Sequence, residues 1–397
     1  MELIKKAQEL QQELIGWRRY LHEHAETGFA LEKTTAFIES ELEKMGYTPQ
    51  KCGRAGLIAM AGARKSGRVF LLRADMDGLP IREKTGESFA SKNGNMHACG
   101  HDLHAAMLLG AAKLLKEREN ALAGEVRLLF QPAEEILEGA KDAIEAGALE
   151  RVSGAMMMHV MTNVDLPAGT IVVSSAGVGA PAADFFAIKV QGKSCHGSAP
   201  WNGVDALTAA AHILIALQEI SARELTPAMP AVLTIGSMNG GEAGNVIADL
   251  AEMKGTLRAF DEETREMVKR RLGEIAKNVA KAFRARAKVV FTSGCPTLLN
   301  DETLSAFAER EAKALLGEAS VFTSKTIDED ARKKSGGSED FAYISQKVPS
   351  VMAAIAAGET GKGYDYPLHH PKVKFDENAL YMGAALYAHI AMQYFKK

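Results

Sequence analysis

Cysteine is scarce in this 397-residue chain: Cys52, Cys99, Cys195 and Cys295 are the only four, far apart and with no C-x-x-C pair. That excludes a disulfide framework and a zinc ribbon. No stretch approaches the roughly 20 unbroken apolar residues of a membrane span. Neither sign of charge dominates, with 47 Lys and Arg against 50 Asp and Glu. The broad basic surface of a nucleic-acid binder is therefore missing, and so is the basic charge that holds a protein to an anionic membrane. Neither nucleic acid nor membrane is expected as a partner. Repeats and low-complexity segments are absent. The opening MELIKKAQELQQELIGWRRYLHEH is charged and amphipathic, without the apolar run of a signal peptide. What is present is a globular composition, 47% hydrophobic and 24% charged, at a length that favours two domains. A soluble cytoplasmic protein is the expectation.

Helical periodicity runs through residues 2–24 and 30–46. Three short apolar runs follow, Leu57–Ala61, Val69–Ala74 and Val126–Phe130, each bounded by Gly, Pro or charge as buried strands are. Helical stretches are expected at His104–Lys116 and Glu135–Glu145, and a further strand at Ala155–His159. This alternation predicts an α/β sheet with helices on its faces. The pattern differs in the middle of the chain. There it predicts strand Asp184–Val190, helix Val204–Ile220, strands Ala231–Met238 and Val246–Phe260, helix Asp261–Ala282 capped by Asp261, and strand Ala287–Thr292. That β-α-β-β-α-β order is the split-βαβ unit. The expected organisation is residues 1–182 and 295–397 as one domain, with 183–294 inserted as a smaller one.

The densest chemical signal is MHACGHDLH, in which His97, Cys99, His101, Asp102 and His104 place three His, one Cys and one Asp within eight positions. Imidazole and thiolate at i and i+2 around a glycine suit zinc and related metals. A polar loop capped by Asp102 at a helix start is the bland alternative. A third is a Cys99 nucleophile paired with His101. Glu134 and Glu135 follow an apolar run, so they belong at a strand's C-terminal end, where open α/β sheets gather ligands. By themselves they would read as a first-turn pair facing a helix dipole. His159 ends the run Ala155–Met158, and a lone His there is ordinarily a satisfied edge residue. Asp75 and Asp77 share one side of an extended segment. Several strand ends thus carry Cys, His, Glu and Asp toward one edge, which favours a shared metal centre over any motif read alone.

The stretches LRADMDGLPI, MHACGHDLHAAMLLGAA, LLFQPAEE, GKSCHGSAP, GNVIADLAEMKGTLR, GGSEDF and LHHP together make the chain resemble the zinc-peptidase-type metallo-amidohydrolases, in the branch with bacterial aminoacylases and hippurate hydrolases. The resemblance runs the length of the chain. It implies a zinc-peptidase-like α/β catalytic domain carrying an inserted ferredoxin-like lid that mediates dimerisation. It implies two divalent metal ions, Zn or Mn with Co or Ni as substitutes, held by Cys99, His101, Glu135, His159 and His369. It implies Glu134 as general base on a metal-bound water, with Asp75 and Asp77 behind the ligands. It gives His196 the oxyanion or substrate carboxylate, and Asn245 and Arg258 the substrate carboxylate. The first His of HHP aligns with the ligand, so His369 is preferred to His370.

The chain departs from the family at Ala25, Leu103 and Ala248, none a proposed ligand, and at Ser198–Ala199–Pro200–Trp201, where Ala-Met-Pro-His is usual. The last difference bears on side-chain preference in the pocket. The implied reaction is hydrolysis of the amide bond of an N-acyl amino acid or related small amide by a homodimer or higher homo-oligomer. A metallo-exopeptidase or conjugate hydrolase on the same scaffold is the alternative, and a non-catalytic metal-binding protein a distant one. A cysteine hydrolase would leave Glu134, Glu135, His159 and His369 without a role.

Overall fold

The computed structural model describes residues 2–62, 67–327 and 337–396; Gly336 of the GGSEDF stretch lies outside them. The chain divides into two compact units, one comprising Met1–Gly179, Leu299–Lys334 and Asp340–Lys397, the other Ala180–Leu298 with Ser335–Glu339.

The first unit is built on an eight-stranded mixed sheet. Its centre is the strands Glu125–Gln131, Val69–Asp75, Val152–Met161 and Ser350–Ala356, side by side and parallel. Every residue of Val69–Asp75 and Glu125–Gln131 is buried. A strand covered on both faces favours apolar residues at successive positions, which is why these segments read as short, largely apolar runs, interrupted by the buried Arg73 and Arg127. Parallel strands end on the same edge, so Asp75, Gln131 and Met161 deliver the segments that follow them to one rim. The helices Gln11–Glu23, His101–Lys116 and Ala379–Tyr394 belong to a single core with the sheet, through Leu14, Leu103, Met107, Leu380 and Tyr387.

The second unit runs strand Ala182–Gln191, helix Ala206–Glu219, strands Ala231–Gly240 and Leu250–Ala259, helix Glu262–Ala282 and strand Arg286–Cys295. Its four long strands form one antiparallel sheet, with Ala182–Gln191 and Leu250–Ala259 central and Ala231–Gly240 at an edge. Phe186, Ile188 and Val190 alternate onto the face covered by the helix residues Ala210, Ile213, Val268 and Leu272. Asp261 caps its helix, accepting the Thr264 N–H at 2.7 Å.

Two expectations need correction, and the alternative of a cap at Asp102 falls with them. The helix read from Glu135 starts only at Gly139. Residues 132–138 are instead a wound loop in which Ala133 and Leu137 both take φ of 58°. A side chain at Gly139 would meet the Pro132 carbonyl oxygen at 1.7 Å, so the loop closes only over glycine. The strand read over Val246–Phe260 is two, Val246–Ile247 and Leu250–Ala259. The carbonyls of Ala248 and Asp249 between them accept from Ala206 and Gly192 instead of a ladder partner. Asp102 caps nothing: Gly100 precedes the helix, and the buried Asp102 carboxylate takes Arg18 at 2.7 Å and His22 at 2.8 Å.

Candidate metal centre

Gly100 turns the chain between Cys99 and His101 with φ of 84°, and a Cβ there would lie 2.3 Å from Val160 Cγ2. Only glycine permits that turn, and it brings both donors to the sheet rim. Among the groups of donor atoms that could hold an ion are two that share Cys99, one with His101 and His159 and one with Glu135 and His369. Within each group they lie no more than 4.8 Å apart. Cys99 is common to both. Its Sγ is 3.5 Å from Nε2 of His159 and 3.3 Å from Nε2 of His369. Glu134 and Glu135 form a further group with His101. His369 reaches the site from the loop after strand Ser350–Ala356, with φ of 65° and its N–H on the Ala98 carbonyl at 2.9 Å. The neighbouring His370 stacks on Tyr366 instead, with ring centroids 4.4 Å apart.

Hydrogen bonds aim each ring. His101 donates from Nδ1 to the Asp77 carbonyl at 2.8 Å, and His159 from Nδ1 to the Val160 carbonyl at 2.8 Å. Both therefore turn an Nε2 lone pair into the site. The Asp77 carboxylate accepts the backbone N–H of Glu134 at 3.0 Å and of Glu135 at 3.3 Å. It thereby fixes the turn that carries both glutamates.

The residues present fit a divalent cation. His101 Nε2 and Glu135 Oε1 are buried and have no hydrogen-bond partner. Burial opposes a charged His101, yet Asp75 and Cys99 raise it well above its ordinary range. Burial, with Asp77 and Asp75 adding to it, pushes Glu135 up to about 7. Burial likewise raises the Cys99 thiol, while His159 is pushed down to about 3 by burial and His104. A site in which Glu135 and the Cys99 thiol are held protonated while a buried imidazole is charged has room for a bound cation in place of those protons. A thiol held protonated is a poor nucleophile, which tells against the cysteine-hydrolase alternative.

Several residues with a part here had been given none from the sequence. His104 groups with Asp75 and His101, but it is no ligand. Its Nε2 accepts the Val160 N–H at 2.8 Å, so Nδ1 carries the proton and donates to Asp75. It ties the end of the His159 strand to Asp75. Arg73, fully buried, holds Asp75 at 2.7 Å and Asp340 at 2.7 Å. The i+3 spacing of His104 from His101 was a usable signal; nothing local marks the Arg73–Asp340 pair.

The remaining candidates lie in the second unit. His196 pairs with Val246 across a short antiparallel bridge, and the Gly197 N–H reaches the Asn245 carbonyl at 2.7 Å. His196 and Asn245 are therefore neighbours. The Ser198 N–H donates to Nδ1 of His196 at 3.1 Å, with the Ser198 hydroxyl 2.7 Å from the same atom. That leaves the proton on Nε2, as an exposed donor. Arg258 stands on strand Leu250–Ala259, 5.5 Å over the Phe185 ring, its Nη1 buried without a partner.

Relatives agree with this chemistry. The model of peptidase family M20/M25/M40 matches residues 71–393. An N-acetyl-L-cysteine deacetylase of Bacillus subtilis is 38% identical over 94% of this chain and 85% of its own. A hippurate hydrolase of Campylobacter jejuni is 33% identical over the full length of both. The solved Bacillus subtilis YXEP protein, described as a dinuclear metal-binding peptidase, superposes with a TM-score of 0.79 at 35% identity, covering 98% of this chain and 99% of that one. Fold, clustered ligand atoms and relatives converge: this chain belongs to peptidase family M20/M25/M40 and is a metal-dependent amidohydrolase or peptidase.

Proposed function

We propose that the protein hydrolyses the amide bond of N-acyl amino acids, using two divalent ions, Zn or Mn with Co or Ni as substitutes. Cys99, His101 and His159 would hold one ion and Cys99, Glu135 and His369 the other. Bound there, such ions polarise a carbonyl and lower the pKa of water. The observation that carries the reading is the position of Glu134. It sits beside His101 and Glu135, only 6% exposed, and belongs to neither of the donor groups that contain Cys99. A carboxylate at a metal site and surplus to ligation is suited to take a proton from water and pass it to the leaving amine.

His196, through its outward Nε2–H, would donate to the developing oxyanion. Asn245 and Arg258 would hold the substrate carboxylate, for which the unpaired Arg258 Nη1 is available. The second unit would act as lid and dimer contact. Its edge strand Ala231–Gly240 carries Val232, 57% exposed, and its first helix carries Ile215, 67% exposed, features suited to pairing with a second copy. All four cysteines are free thiols, which suits a cytoplasmic location. Among the described residues no helix is long and apolar enough to cross a membrane.

The choice of substrate draws support from relatives named for an N-acetylated amino acid and for hippurate. The experiment is a screen of N-acetyl and N-benzoyl amino acids against metal-reconstituted protein, reading released amine. Turnover of simple N-acyl amino acids is expected; cleavage of peptides alone would reject the substrate assignment.

A further inference from the structure

One fully buried carboxylate at this site has no part in the chemistry above. Asp340 has no exposure to solvent. Its oxygens accept from Arg73 Nη2 at 2.7 Å, from Gln131 Nε2 at 2.9 Å and from the Ala140 backbone N–H at 2.8 Å. Gln131 and Ala140 are the two ends of the wound loop that carries Glu134 and Glu135. A single carboxylate thus ties both ends of that loop, while Asp77 holds its middle. Asp340 also reaches Glu134 directly, its own N–H donating to Glu134 Oε1 at 3.4 Å. Arg73 completes the frame by holding Gln131 Oε1 at 3.0 Å.

The loop needs such a frame. Two of its non-glycine residues, Ala133 and Leu137, sit in the left-handed region, a conformation that persists only where the surroundings over-determine it. A frame serving stability alone would be as well made from apolar side chains, because burying an Arg–Asp pair carries a large desolvation cost.

We propose that Asp340 is a positioning residue for Glu134. It would hold the loop, and one oxygen of the base, in the orientation that proton transfer requires. This inference rests on reading Glu134 as the general base, and its test separates the two.

The test is a double-mutant cycle in metal-reconstituted full-length protein, with Asp340→Asn made alone and in Glu134→Gln, and with kcat, KM and metal content measured for each. Misplacing a reacting group by an ångström costs about 10²-fold in rate. Asp340→Asn should therefore lower kcat about that much, with KM changed by less than about twofold and bound metal unchanged. In the Glu134→Gln background the same substitution should change kcat hardly at all, since the base it positions is already gone. Equal fold-losses in both backgrounds, or loss of metal with rate, would mean that Asp340 supports the structure without positioning the base. Wild-type turnover in Glu134→Gln would reject the base itself, and the positioning role with it. Should Asp340→Asn not fold, Gln131→Met replaces it. That variant frees one end of the loop while keeping the Arg73–Asp340 pair, and the same pattern is required of it.

Discussion

Asp77 holds Glu134 by the main chain, its carboxylate accepting the Glu134 N–H at 3.0 Å and the Glu135 N–H at 3.3 Å. The Asp77 carbonyl accepts Nδ1–H of His101. One residue thus sets the proposed base, a proposed ligand carboxylate and a proposed ligand imidazole. Asp77→Asn would set an amide N–H against one of the backbone N–H groups. Metal affinity should fall by about 10- to 100-fold, as for other groups that orient ligands. Metal content after dialysis against a series of metal buffers checks this; an unchanged affinity would deny Asp77 that role.

Metal uptake should depend on pH with a definite sign. Burial raises both the Cys99 thiol and Glu135, the latter to about 7. Each must lose its proton to ligate, so affinity should rise between about pH 6 and about pH 8 and protons should be released on binding. Zinc titrations in buffers of different ionisation enthalpy count those protons. Uptake indifferent to pH would mean that these groups are not ligands.

His97 is buried with both ring nitrogens unpartnered, and burial pushes it down to about 3. The folded protein keeps it neutral, whereas the unfolded chain takes up its proton near the ordinary 6.5. The resulting stability is present above that pH and is lost as pH falls toward the folded value. His97→Leu should flatten the acid limb by about 1 kcal/mol per pH unit. Denaturant midpoints for both proteins between about pH 6.5 and 4 give the comparison. Parallel acid limbs would refute the assignment.

His196→Ala should keep its fold and metals and lose most of its kcat, because the variant lacks the Nε2 donor. Mixing tests whether the proposed lid serves its own site or a partner's. If each lid serves its partner's metals, reassociating inactive His196→Ala with inactive Glu134→Ala yields heterodimers with one intact site, and activity returns. A verified heterodimer without turnover would exclude service in trans.

How much of this was legible in the sequence differs by residue. Cys99 and His101 lie two positions apart around a glycine, and Glu135 and His159 stand at strand ends, so density and sheet topology together marked one rim. The loop after Gln131 was misread because Glu134–Glu135–Ile136–Leu137–Glu138 has good helix propensity. Propensity of a few tenths of a kcal/mol per residue yields to tertiary contacts, here the Asp77 and Asp340 carboxylates. The alternative of Asp102 as a helix cap fails because its partners are Arg18 and His22, which are remote in sequence. The Arg73–Asp340 pair spans 267 positions, beyond the reach of local pattern.

The proposed division of labour between Glu134 and Glu135 is measured directly by comparing Glu134→Gln with Glu135→Gln. Metal bound per chain and kcat on an N-acyl amino acid are determined for both. Glu134→Gln should keep wild-type metal and lose about 10²- to 10⁴-fold in kcat, the usual contribution of a general base. Glu135→Gln should lose metal together with rate. Equal metal retention in the two variants would contradict the assignment of base and ligand.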